Sequence, residues 1–318
     1  MKEALSTETP LQLDKMGPTL RTPSAATERP QAPTVSLRED LAELTKLRLT
    51  TLVLITTVVG FLYGSGDTVN WAGLFNTLIA TGLVAAGAAA LNQVLEIRQD
   101  RLMKRTADRP LPAGRMATRT ATLFGTLISL IGLIYLGLAA NWLTSALAAL
   151  TLAVYVLIYT PLKQKTVHNT LIGAISGAIP PVLGWTAATG KLGVEALILF
   201  GILFFWQMPH FLAIAWMYRD QYRKAGFRMW PLIDKLGRWT AGQSFFFALL
   251  LLGVSLTPVF LGLNNWVYGG IAFLLGVGMT LLALRFLCHK TEKSARQLFL
   301  STLLYLPAIL IAIVFTTT

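Results

Sequence analysis

Nine uninterrupted apolar runs occupy most of the chain, at residues 49–66, 71–95, 120–139, 142–159, 171–188, 196–217, 245–263, 266–284 and 298–315. Each has at least 18 residues and none contains Lys, Arg, Asp or Glu. At about 1.5 Å of helix rise per residue such a run approaches the thickness of a hydrocarbon layer, about 30 Å. Within lipid, a spanning segment must satisfy its own backbone hydrogen bonds. The sequence therefore predicts an all-α fold, a polytopic membrane helical bundle with nine transmembrane helices.

The basic residues test that count. Lys and Arg fall in the N-terminal segment and in the loops after the second, fourth, sixth and eighth runs, with Lys191 the one exception among 27. Such one-sidedness arises only if there are nine spans. The positive-inside rule then places the N-terminus in the cytoplasm and the C-terminus outside, most simply across a bacterial cytoplasmic (inner) membrane. The pI of 10.0 thus reads as topology, not as nucleic-acid binding. Cys288 is the only cysteine, so no intrachain disulfide can form.

Residues 1–44 are rich in Pro, Thr, Ser and Glu and read as a disordered cytoplasmic tail. Residues 45–318 read as one nine-helix domain. No signal-peptide pattern precedes the first run, and the acidic residues of the tail argue against a transit peptide. Pro180 and Pro181 fall near the middle of the fifth run and Pro209 interrupts the sixth. Each removes a backbone donor, which a bundle tolerates where neighbours or an internal cavity satisfy the freed group.

Two polar strings follow hydrophobic runs, NQVLEIRQDRLMKRTADRP from Asn92 and MYRDQYRKAGFRMWP from Met217. In the first, Asn92, Glu96 and Asp100 are four residues apart, so on a helix they share one face with about 40° of drift per step. Stacked hard oxygen donors of this kind suit Mg²⁺, which takes one or two carboxylates and completes its shell with water and phosphate oxygens. Arg101, Lys104, Arg105, Arg109 and Arg115 follow at once. Carboxylates alone would repel a diphosphate and cations alone would bind any anion; the mixture points to a metal–phosphate complex clamped by Arg and Lys. In the second string Asp220 stands among Tyr222, Arg223, Lys224 and Arg228, a candidate for a further metal contact or for orienting a diphosphate. His210 is the only His, Lys, Arg, Asp or Glu inside a run. An imidazole there can ligate a metal, donate to a carboxylate, contact a substrate, or satisfy the carbonyl freed near Pro209.

These residues resemble the UbiA-type intramembrane prenyltransferases, and among them the protohaem IX farnesyltransferase (haem O synthase) branch, over roughly residues 44–315. The resemblance rests on LNQVLEIRQDRLMKRTADRPLPAGRM (91–116), YTPLKQKTVHNTLIGAISGAIPPVLGW (159–185), FWQMPHFLAIAWMYRDQYRKAGF (205–227) and the nine-span layout. It implies a bundle around a central cavity, with farnesyl diphosphate and haem B as substrates and Mg²⁺ as cofactor. Haem A synthase or terminal-oxidase assembly proteins would be partners. It implies metal binding and catalysis by Asn92, Glu96, Asp100 and Asp220, and diphosphate binding by Lys104, Arg105, Arg109, Lys163, Arg223 and Lys224. Haem would meet His210 and Trp206. There are departures: Glu96 stands where aspartate is usual, Leu47 where proline is frequent, and Gln221 where aspartate commonly precedes the tyrosine, with Asp220 one residue earlier. Two other readings compete, a UbiA-type enzyme with a quinone precursor or chlorophyllide as acceptor, and a transporter of an anionic lipid or porphyrin.

Overall fold

The computed structural model describes residues 36–317. Fourteen α-helical elements and one π-helical turn follow in order: α1 (Leu37–Leu44), α2 (Leu47–Ser65), α3 (Trp71–Leu102), α4 (Thr118–Ala139), α5 (Trp142–Ala153), the π-turn (Val154–Tyr159), α6 (Thr160–Leu162), α7 (Asn169–Ala178), α8 (Pro180–Thr189), α9 (Val194–Met217), α10 (Arg219–Lys224), α11 (Trp230–Ile233), α12 (Arg238–Phe260), α13 (Trp266–His289) and α14 (Glu292–Phe315). They compose nine spans long and apolar enough to cross a membrane. The nine-span expectation and the all-α class hold, and the chain is an integral membrane protein.

The spans are apolar all round, so hydrophobicity alone cannot say which side faces in. Residue size does. On α4, Leu127, Ile131, Ile134 and Leu138 are exposed, whereas Gly125, Ser129 and Gly132 are buried against α3. Small residues let backbones approach, and the large aliphatic groups are left for lipid. The closest approach joins α2 to α8: a Cβ on Gly60 would collide with the Pro181 carbonyl oxygen, and one on Gly184 with the Thr57 carbonyl oxygen.

The fifth run is broken where its prolines predict. Ile179 separates α7 from α8, and Pro180 and Pro181 open the second helix, where a missing N–H costs nothing. Pro209 is absorbed within a continuous α9. At the end opposite the basic loops, Tyr63 of α2 donates to Asn264 Oδ1 (3.0 Å), and Asn264 donates to the Ile313 carbonyl (2.8 Å). This buried relay ties the first span to the last.

One boundary differs from the sequence reading. Residues 37–44, assigned there to the tail, form α1. Leu37, Leu41 and Leu44 recur at helical spacing, and Leu44 is fully buried in a cluster with Ala90, Leu111 and Ala121. Gln93 of α3 donates to the carbonyls of Glu43 and Leu44, and Asp40 pairs with Arg115. The rest of the predicted tail, residues 1–35, lies outside the described residues.

Candidate active site

α3 runs seven residues beyond the apolar stretch that begins it, so Asn92, Glu96 and Asp100 stand on one continuous helix. All three are buried, at 0, 4 and 3% exposure. Isolated buried carboxylates are prohibitively unfavourable, so each must be compensated. Lys163 Nζ lies 2.8 Å from Glu96 Oε1, and Arg109 Nη1 lies 2.8 Å from Asp100 Oδ2. Lys46 Nζ reaches Asn92 Oδ1 at 2.5 Å, and Asn92 Nδ2 donates to Thr160 Oγ1. Three cations from three separate segments thus converge on a face holding two carboxylates. Glu96 Oε2 and Asp100 Oδ1 have no protein partner among the described residues.

Burial, reinforced by Lys163 and Arg109, lowers the Lys46 ammonium to about 7, against the pull of Glu96 and Asp100. A bound anion would relieve that strain. Lys46 also occupies the left-handed region, with φ 48° and ψ 52°, which costs an L-residue about 1–2 kcal/mol. The sharp joint between α1 and α2 requires it, and brings α1 back over the end of α3.

The π-turn supplies the facing wall. Pro161 cannot donate a backbone hydrogen bond, and its ring would crowd the carbonyl four residues earlier in an α-helix. Widening the helix relieves that crowding, and Thr160 Oγ1 donates to the Tyr155 carbonyl. Tyr155 and Tyr159 then lie side by side, with ring centroids 5.7 Å apart, and the Lys163 ammonium sits 4.6 Å from the Tyr159 centroid.

The two polar strings are neighbours. The Arg228 N–H donates to the Lys163 carbonyl (2.8 Å), Asn169 Nδ2 donates to the Arg228 carbonyl, and Met103 packs with Ala225 and Phe227. Yet the acid of the second string is not brought to the first. Asp220 is exposed and pairs with Arg223 at 2.9 Å. Lys104, Arg105 and Lys224 are likewise exposed. Among the described residues no group of three His, Cys, Asp or Glu converges as a metal cluster. A site for Mg²⁺ here rests on two carboxylates and an amide.

His210 and Trp206 lie elsewhere, between α9 and α14. Their rings stack at 4.7 Å and 24°. His210 Nδ1 lies 2.7 Å from Thr302 Oγ1, and Trp206 Nε1 donates to the Thr302 carbonyl (2.8 Å).

A sequence profile described as the UbiA prenyltransferase family matches residues 53–306. The chain belongs to the UbiA prenyltransferase family. It is, accordingly, a prenyltransferase. A protein of Koribacter versatilis (strain Ellin345) named protoheme IX farnesyltransferase is 44% identical over 289 residues, covering 87% of this chain and 93% of that one. One of the same name from Solibacter usitatus (strain Ellin6076) is 43% identical over 279 residues, covering 85% and 96%. Among solved structures, a digeranylgeranylglyceryl phosphate synthase superposes with a TM-score of 0.77 at 17% identity, covering 88% of this chain and 98% of that one. A UbiA homologue from Archaeoglobus fulgidus bound to DMAPP and Mg²⁺ gives 0.64 at 16%, covering 86% and 99%. At these identities the two structures establish the shared UbiA fold.

Several residues of this candidate site were not singled out from the sequence. Lys46 reads as one more basic residue ahead of a span, and Thr160, Tyr155 and Tyr159 read as ordinary span residues. The Pro161 that forces the π-turn was the one available signal. Glu43, 3.5 Å from Arg109 Nε, lay in the supposed tail.

Proposed function

We propose that the chain transfers the farnesyl group of farnesyl diphosphate to a vinyl carbon of haem B, giving haem O and pyrophosphate. The observation that carries this reading is the buried Asn92–Glu96–Asp100 face ringed by Lys46, Lys163 and Arg109, in a chain whose relatives bear the name protoheme IX farnesyltransferase. The unpartnered oxygens of Glu96 and Asp100 fit Mg²⁺, with Asn92 as a neutral donor. Bound there, Mg²⁺ would neutralise charge on the leaving diphosphate.

The protein's own groups do the rest. Lys46, Lys163 and Arg109 hold the diphosphate oxygens and stabilise the charge that develops as the allylic C–O bond breaks. The Tyr159 ring lies beside Lys163 with Tyr155 next to it, an aromatic wall that favours a cationic carbon and keeps water from it. The haem vinyl group adds to that carbon through its terminal atom. Water then attacks the resulting benzylic-type cation and loses a proton, leaving the hydroxyl. His210 and Trp206 meet the haem. Expression in a strain unable to make haem O, followed by analysis of extracted haems, tests the reading. Haem O in the extract is expected; an extract with haem B alone, from cells that accumulate the protein, rejects it.

Asp220 sits outside this scheme because of its exposure and its pairing with Arg223. Asp220→Asn is expected to lower turnover by no more than about tenfold, against about a thousandfold for loss of a group that stabilises developing charge. A loss as large as that at Asp100 would bring Asp220 into the diphosphate site.

The active end faces the cytoplasm, as the basic loops imply. In a background with Cys288, which is exposed, replaced by serine, cysteines placed at Asp108 and Lys235 should be shielded from an impermeant thiol reagent in intact cells. One at Asn265 should react. The reverse pattern would invert the topology.

A further inference from the structure

Thr302 has one hydroxyl hydrogen and two close neighbours. Its Oγ1 lies 2.6 Å from the Phe299 carbonyl oxygen and 2.7 Å from His210 Nδ1. A carbonyl oxygen can only accept, and two oxygens at that distance without a hydrogen between them would repel. The hydroxyl hydrogen therefore belongs to the Phe299 bond. Thr302 Oγ1 must then accept from His210, so Nδ1 carries the hydrogen and Nε2 the lone pair.

The rest of the surroundings holds the ring in that state. Trp206 stacks on one side of His210, Phe299 lies 5.1 Å away at 39°, and Phe211 meets it edge-on at 5.3 Å. Trp206 is itself fixed by its bond to the Thr302 carbonyl, so one residue of α14 positions both side chains. Among the described residues its ring contacts are with Trp206, Phe211 and Phe299, and its one hydrogen-bond partner is the Thr302 hydroxyl. Nε2 has no partner among the described residues, and the imidazole is partly exposed. An acceptor nitrogen left open inside an apolar span invites a Lewis acid or a donor. Histidines that bind metals generally donate their other ring N–H to a fixed acceptor, which sets the tautomer and raises the basicity of the ligating nitrogen.

We infer that Thr302 is a positioning residue that locks His210 in the Nδ1–H tautomer and so presents Nε2 as an axial ligand to the iron of the haem substrate. The inference rests on the function proposed above and specifies how the acceptor is held. Because α9 also carries Gln207, bonded to the Ala174 carbonyl on α7, and Trp206 on the α14 side, the ligating ring is borne by a helix braced on two sides. That rigidity would fix the iron, and with it the vinyl group, relative to the transferred carbon.

The full-length protein in detergent, titrated with ferric protohaem IX, tests this. The parent should give the absorption and electron paramagnetic resonance signatures of imidazole ligation, and His210→Gln should lose them. Thr302→Val removes the acceptor at nearly constant volume. It is expected to weaken haemin binding by about 10–100-fold and to displace the spectrum, with farnesyl diphosphate binding unchanged. Thr302→Ser should restore both. A Thr302→Val protein with parental affinity and spectrum overturns the inference, as does a parent that makes haem O without any imidazole signature. A parent that makes no haem O in cells rejects the proposed function itself.

Discussion

Asp100→Ala and Glu96→Ala will each remove turnover, by about a thousandfold or more, because each deletes a carboxylate from a face that has two. Two effects must be separated. The first is chemical, the loss of an oxygen donor to the metal–diphosphate complex. The second is structural, since Asp100 and Glu96 are nearly buried and paired at 2.8 Å with Arg109 and Lys163. Removing one partner of a buried pair strands the other charge, at a cost of about 3–5 kcal/mol. Glu96→Asp separates them, since it keeps the charge and matches the residue usual in the resembling family. It should retain substantial turnover. Asp100→Asn keeps the volume and hydrogen-bonding capacity and should fold better than the alanine variant while remaining inactive. Turnover is read as pyrophosphate release from farnesyl diphosphate and haem B by membranes of matched protein content. Alanine variants that turn over at the parental rate would leave this face a structural one, its carboxylates paired with Lys163 and Arg109 and outside the chemistry.

The second large effect belongs to Lys163. Its ammonium contacts Glu96 and the Tyr159 ring, and its carbonyl accepts from Arg228, so one residue joins the metal face, the aromatic wall and the second polar string. Lys163→Met should abolish turnover by about a hundred- to a thousandfold and destabilise the protein by leaving Glu96 unpaired. Adding Glu96→Gln removes the stranded charge. The double variant should regain thermal stability in detergent yet remain inactive. If stability and activity return together, neither Glu96 nor Lys163 acts at the metal–diphosphate site, and each serves only to neutralise the other.

The diphosphate side of the site was more legible than the acceptor side. Spacing of four residues places Asn92, Glu96 and Asp100 on one face wherever the segment is helical, and charge balance near them already suggested a paired anion site. The exposed positions of Lys104 and Arg105 could not be separated from the half-buried position of Arg109, because all three follow the same helix at short range and only packing of residues 103–117 against α1 distinguishes them. His210 stood out as an ionisable residue in an apolar run, but the run contains nothing that says which of its nitrogens is engaged. That answer comes from Thr302, 92 residues later in the chain.

Composition and periodicity by themselves determined the membrane class, the number of spans, the gathering of the basic loops at one end of the bundle and the common face of three oxygen donors. These are local properties, set by the apolar content of a run and by about 3.6 residues per helical turn. The N-terminal boundary, the π-turn and the assembly of cations were decided by tertiary structure. Lys46 and Lys163 reach their partners across separations of 46 and 67 residues. Either could equally have ended in water on the same basic surface, and nothing in its own neighbourhood of sequence distinguishes the two outcomes. What distinguishes them is burial: once packing has removed Glu96 and Asp100 from solvent, an unpaired carboxylate there is too unfavourable to persist, and the fold must bring cations to them.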